Sequence, residues 1–154
     1  MKRGVIFAII CLILFSFVMI AGCGKGQLPP ANKEVIAICK LIDQGKSVGE
    51  ILEAYDRAAQ KYPRFSYLWQ EKGDYLSRIG RYNDAVEAYK QALLTVRSST
   101  TSDVESAEIW IDIGKALEMQ KKYEEALSAY EEAYKVFSRS DDVITAIDRM
   151  QNKI

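Results

Sequence analysis

Sliding the sequence along itself by 41 residues superposes Trp69, Gly73, Leu76, Tyr82, Ala85, Tyr89 and Ala92 on Trp110, Gly114, Leu117, Tyr123, Ala126, Tyr130 and Ala133. Identities in one register constrain the fold strongly, because self-similarity at a period of this size marks an array of stacked supersecondary units. A backward slide of 34 residues from the middle copy sets Cys39, Tyr55 and Ala58 under Gly73, Tyr89 and Ala92, and Pro63 closes that first copy. The chain therefore carries three copies of one unit.

The unit reads as helical. After Asn32 apolar residues recur at three- and four-residue steps, without strand-like alternation and with few glycines. Gly73 and Gly114 fall in helix interiors, where glycine costs about 1 kcal/mol relative to alanine. Such positions are expected where two helix backbones approach closely, with Ala85, Ala92, Ala126 and Ala133 as the facing small surface. Tyr89 and Tyr130 each follow an alanine by one turn on the same stripe, and Trp69 and Trp110 are expected to plug successive helix pairs. Gly80 is placed to end a helix in a left-handed cap, with Asn83 starting the next. Between copies two and three lies an insert in or near Arg97 to Asp103, where Ser102 and Glu105 have a capping-box pattern. It reads as a polar loop and a fresh helix start, or else as a decoration of the binding face. A last amphipathic helix is expected from Asp141 to Lys153, with Val143, Ile144, Ile147 and Met150 inward, as the polar-backed cap that an array needs.

These residues resemble the tetratricopeptide repeat, a helix-turn-helix of about 34 residues. Copies two and three carry its Trp, Gly, Leu, Ala, Tyr and Ala positions, while copy one has Val35 for the tryptophan and Ile51 for the first alanine of its second helix. Arg97 stands where copy two would close with proline, and Lys121 replaces the turn glycine seen as Gly80. The resemblance covers residues 34 to 138 and implies an all-α fold: three helical hairpins in an array, plus a C-terminal capping helix.

It also implies that the first helix of each pair lines a concave groove that takes a peptide or helix. With Trp69, Gly73 and Leu76 packed inward, the groove side of copy two falls to Tyr67, Gln70, Asp74, Ser77 and Arg78. The same stripe is Glu108, Ile111, Lys115, Glu118 and Met119 in copy three, and Lys33, Ile36, Lys40 and Asp43 in copy one. The candidate partner-binding residues are Tyr67, Gln70, Asp74, Arg78, Ile111, Lys115 and Met119, with plain solvation as the alternative for each. Tyr67, Ile111 and Met119 place apolar surface on an otherwise polar stripe, a mark of contact surfaces. The groove lacks the lysine and asparagine set by which chaperone-binding relatives hold a terminal carboxylate.

Ahead of the array stands a different object. Met1-Lys2-Arg3 is a short basic start, no charged side chain follows from Gly4 to Gly24, and Val5 to Ile20 is nearly unbroken apolar sequence. A transmembrane anchor needs about 20 such residues, whereas a secretory signal needs a basic start, an apolar stretch and small residues before a cut. The run ends in Ile20-Ala21-Gly22-Cys23, which resembles the lipobox of bacterial lipoproteins. That resemblance implies that residues 1–22 are removed and that Cys23 becomes an acylated amino terminus, with an uncleaved anchor as the alternative. Gly24, rather than an aspartate, leans towards an outer membrane facing the periplasm in a Gram-negative cell. Residues 23–33 then read as lipidated cysteine and tether, rich in glycine and proline, and 34–154 as the domain. The nine residues from Gly24 to Asn32 reach at most about 30 Å.

The remaining composition excludes more than it suggests. The 21 basic and 21 acidic residues cancel, so no electrostatic footprint points to nucleic acid. The absence of histidine removes the commonest general base and a favoured zinc ligand. There is no phosphate-binding glycine loop and no cysteine pair, so no enzyme activity, cofactor or metal is expected. With Cys11 lost in the leader and Cys23 lipidated, Cys39 is left as a small buried residue at a helix crossing, or a reactive thiol. The expected function is a membrane-anchored scaffold that holds another envelope protein and assists assembly of an envelope complex. A self-associating structural lipoprotein, dimeric through its repeat ends, and a signal-anchored adaptor are the alternatives.

Overall fold

The computed structural model describes residues 30–96, 102–138 and 140–154. The leader, Cys23 with the first part of the tether, and residues 97–101 of the inter-repeat insert lie outside the described residues. Seven helices follow one another: α1 (Pro30–Asp43), α2 (Val48–Lys61), α3 (Ser66–Arg78), α4 (Tyr82–Thr95), α5 (Ser102–Met119), α6 (Tyr123–Val136) and α7 (Asp141–Gln151). They form three antiparallel hairpins, α1–α2, α3–α4 and α5–α6, each packed on the next, with α7 against α6. Helices α4 and α6 begin and end 41 residues apart, so the sequence register is also the structural register.

The hairpin turns share one device. Gly45, Gly80 and Lys121 all adopt positive φ, at 68°, 78° and 61°. At each, the next residue's N–H reaches back to a carbonyl five positions earlier: Lys46 to Leu41, Arg81 to Leu76 and Lys122 to Leu117, at 2.9–3.1 Å. This 6→1 bond is the Schellman closure of a helix C-terminus. Lys121 therefore keeps the glycine's backbone geometry without the glycine. The first turn is one residue longer, which makes room for Ser47 as a cap. Its hydroxyl accepts the Glu50 N–H at 3.3 Å, and Glu50 accepts the Ser47 N–H at 3.0 Å. Ser140 caps α7 on the Val143 N–H.

Two clusters make one continuous core. The first gathers Val35, Ile38, Ile51, Ala54, Tyr55, Ala58, Ala59, Leu68 and Tyr75. The second runs from Leu76 through the alanines and tyrosines of α4 and α6 to Val143, Ala146 and Met150 of α7. Trp69 and Leu52 pack against both and join them, so Trp69 is the plug that its size suggests, while Trp110 packs on the second cluster alone.

Several expectations are corrected. Helix α1 starts at Pro30, with Ala31 buried, so the last residues assigned to the tether belong to the domain. Proline fits there because a helix's first N–H has no intrahelical partner. Helix α4 starts at Tyr82 with Arg81 as its cap, so Asn83 lies inside its first turn. Ser102 is already helical, and the Glu105 carboxylate takes a hydrogen bond from Ser66 of α3. In α7, Ile144 faces out and Ala146 faces in beside Val143 and Met150, because the short helix presents a narrow stripe to α6.

The glycines in the helix interiors are explained differently from expectation. A Cβ on Gly73 would stand 2.5 Å from Cε1 of Tyr89, and one on Gly114 would stand 2.7 Å from Cε1 of Tyr130. The close neighbour is the tyrosine ring lying over the glycine, rather than the opposing helix backbone. In copy one Cys39 takes the glycine's place and is half-buried against the first cluster.

Candidate protein-interaction cleft

Each tyrosine of the second helices crosses its glycine and ends beside the first helix of the same pair. Tyr89 donates to Oδ1 of Asp74 at 2.6 Å, and Tyr130 donates to Oε2 of Glu118 at 3.3 Å. Burial, and then the anionic acceptor, push both phenols up, Tyr130 to about 12. Asp74 is itself held above its ordinary value, first by burial and then by Asp112 and Glu71, against the opposing pull of the Tyr89 hydrogen bond. Tyr55, the third member of the set, is fully buried with a hydroxyl that has no hydrogen-bond partner among the described residues.

The first helices of copies two and three, α3 and α5, are tied to each other. Gln70 donates to Oδ2 of Asp112 at 3.2 Å, Lys115 pairs with Oδ1 of the same carboxylate at 3.1 Å, and Ser66 reaches Glu105. Between them opens a cleft of about 500 Å³, lined by Glu71, Asp74, Ser77 and Arg78 of α3, by Tyr82 and Tyr89 of α4, and by Asp112, Lys115 and Met119 of α5. Met119 is 61% exposed, the most exposed methionine of the array. Arg78 lies 5.9 Å from the Tyr75 ring centre, within cation–π range.

Of the candidate binding residues, this cleft brings together Asp74, Arg78, Lys115 and Met119. Gln70 is half-buried and engaged by Asp112, so it ties the two helices together. Ile111 is half-buried and packs on the second core cluster. Tyr67 is exposed at the start of α3, edge-on to Phe65, with its phenol beside Glu71. In copy one Lys33, Ile36, Lys40 and Asp43 are exposed on α1. Glu118 turns away to the capping helix, bonded by Arg149 at 2.7 Å and Lys153 at 3.3 Å. Sequence reasoning missed Glu71, Asp112 and Tyr82. The first two stand one position beyond the expected stripe, and only the splay between α3 and α5 turns them into the cleft.

Residues 65–139 match the family model of the tetratricopeptide repeat. This stretch is a tetratricopeptide-repeat array. Such repeats are typical of protein–protein interaction modules, and no catalytic family is indicated by the match. Among solved structures, the N-terminal domain of stress-induced protein-1 from C. elegans is similar at a TM-score of 0.70 and 15% identity, covering 79% of this chain and 94% of that one. The second repeat domain of human RPAP3, in complex with an HSP70 peptide, is similar at 0.63 and 18%, covering 79% and 94%. The Yersinia enterocolitica type III secretion chaperone SycD, in complex with a peptide of the translocator YopD, is similar at 0.64 and 12%, covering 84% and 98%. No curated protein sequence matches the chain. At these identities the likeness is one of fold. Among the described residues, no helix is long and apolar enough to cross a membrane, and no group of three or more metal-type side chains comes together.

Proposed function

We propose that the protein is a lipid-anchored scaffold of the bacterial cell envelope that holds a segment of another envelope protein in the cleft between α3 and α5. The observation that carries the binding half is the cleft itself. It is open, it is bordered by Arg78, Met119 and two tyrosines of kinds common in binding hot spots, and it lies on helix faces that the core leaves free. Proteins of similar fold, RPAP3 and SycD, have been seen holding peptides. The anchoring half rests on Ile20-Ala21-Gly22-Cys23, where Cys23 would take the lipid and small Ala21 and Gly22 would admit the signal peptidase. Several acyl chains at Cys23 would hold the domain stably, since one chain is marginal and two or more are not. The reading places the domain beside its membrane, free to assist assembly of an envelope complex.

Intact-mass analysis of the protein from its native membrane tests the anchor. Loss of residues 1–22 with added acyl mass supports it, as does an uncleaved Cys23→Ala variant. A full-length unmodified membrane form would replace it with a signal-anchored adaptor. A second reading, self-association through the repeat ends, draws on Tyr134, Phe137 and Ile144, which are exposed on or beside the last two helices. Light scattering at two concentrations separates a monomer, which fits the scaffold, from a concentration-dependent dimer.

A further inference from the structure

We propose that the cleft selects a basic segment of its partner, seating a lysine or arginine side chain among Glu71, Asp74, Glu108 and Asp112. This inference rests on the reading of the cleft as the docking site and adds the chemistry of what docks. Glu71, Asp74 and Asp112 line the cleft, and Glu108 stands one helical turn before Asp112 on α5. Among the described residues only Asp112 of these four has a cation in ion-pair range, Lys115 at 3.1 Å. The donor that Asp74 receives is the neutral Tyr89 phenol. Arg78, the other cation of the cleft, lies near the Tyr75 ring and pairs with no carboxylate. The acids consequently press on one another. The carboxyls of Asp74 and Glu108 are both held above their ordinary values, first by burial and then by neighbouring acids, Asp112 foremost among those.

A second observation points the same way. Tyr55 occupies the register of Tyr89, whose ring lines the cleft, yet its fully buried hydroxyl has no partner. After burial, the influences on that hydroxyl are Glu71, Cys39, Arg78 and Asp74, in that order, and three of these line the cleft. Behind the carboxylates that lack cations there is thus a hydroxyl oxygen that lacks a donor. An ammonium brings three N–H donors and a guanidinium five, each with a full positive charge and no acceptor. Either group supplies what the carboxylates and the hydroxyl both lack. An acidic segment would instead add charge of the sign the wall already carries.

The test uses the full chain in detergent and three fluorescein-labelled decapeptides of alternating leucine with lysine, glutamine or glutamate, followed by fluorescence anisotropy. The lysine peptide should bind about tenfold more tightly than the glutamine peptide, a difference on the scale of one charge pair. The glutamate peptide should bind most weakly. Glu71→Gln with Glu108→Gln should remove the lysine preference, whereas Glu87→Gln with Glu131→Gln, on the exposed faces of α4 and α6, should leave it in place. Circular dichroism confirms that each variant is folded. If the three peptides bind equally, or if both double variants lose the preference alike, the basic-segment proposal is overturned while the cleft survives as a dock. If no peptide binds, the reading of the cleft as a dock falls with it.

Discussion

The ring of Tyr89 lies where a side chain on Gly73 would have to stand, 2.5 Å from the ideal Cβ position. The two residues are one packing unit, repeated at Gly114 and Tyr130. Gly73→Ala should therefore destabilise the fold by about 1–3 kcal/mol through overpacking, despite alanine's better helix propensity. Gly49 in α2 has open space around its Cβ position. Gly49→Ala should be neutral or stabilising by up to about 1 kcal/mol. Thermal melts of the two variants check the contrast.

Tyr89 and Tyr55 share a register and differ in satisfaction. Tyr89→Phe strips the donor from a half-buried Asp74 and should cost about 1–3 kcal/mol. Tyr55→Phe removes a buried hydroxyl that bonds to nothing described, and should be neutral or stabilising. Urea denaturation of both variants against the parent decides it, and equal losses would contradict this account of the two hydroxyls.

Lys121 holds the left-handed position that Gly80 fills in the preceding hairpin. Lys121→Gly should stabilise the protein by about 1 kcal/mol, and Gly80→Ala should destabilise it by a similar amount. The midpoint of guanidinium unfolding measures both.

Two carboxylates should move stability with pH in opposite directions. Burial alone would raise Glu118, but hydrogen bonds from Arg149 and Lys153 hold it below its ordinary value. Its contribution is present above the unfolded carboxyl range and is lost as pH falls through the lower folded value. Asp74 sits above its ordinary value, so the folded state retains a proton that the unfolded state releases. Stability linked to Asp74 falls as pH rises from the unfolded value through the folded one. Glu118→Gln should flatten the acid limb of the stability–pH curve, and Asp74→Asn should flatten the loss just above it. Denaturant titrations across the acidic range test both signs.

Much of the array was legible in the sequence because its packing repeats. A tyrosine over a glycine, an alanine one turn before it and a tryptophan at the joint recur at fixed spacing, and the structure keeps that spacing to the residue in α4 and α6. What could not be read was how neighbouring first helices splay. The expected stripe counted Gln70 and Ile111 as free, but Gln70 bonds across to Asp112 and Ile111 settles on the core. Glu118 lay on the stripe as well, and only the placement of α7 shows that Arg149 and Lys153 claim it. Such contacts join residues more than thirty positions apart, beyond what a helical period encodes.

The central claim is that a partner segment docks between α3 and α5, and site-specific photocrosslinking in the native membrane tests it most directly. A benzophenone-bearing side chain would replace Met119 in the cleft, or Leu94, which is 77% exposed near the end of α4 and does not line the cleft. The account predicts a discrete crosslinked species from position 119, its loss when Arg78 and Lys115 are both changed to alanine, and none from position 94. A species formed from position 94 and not from position 119 would contradict it.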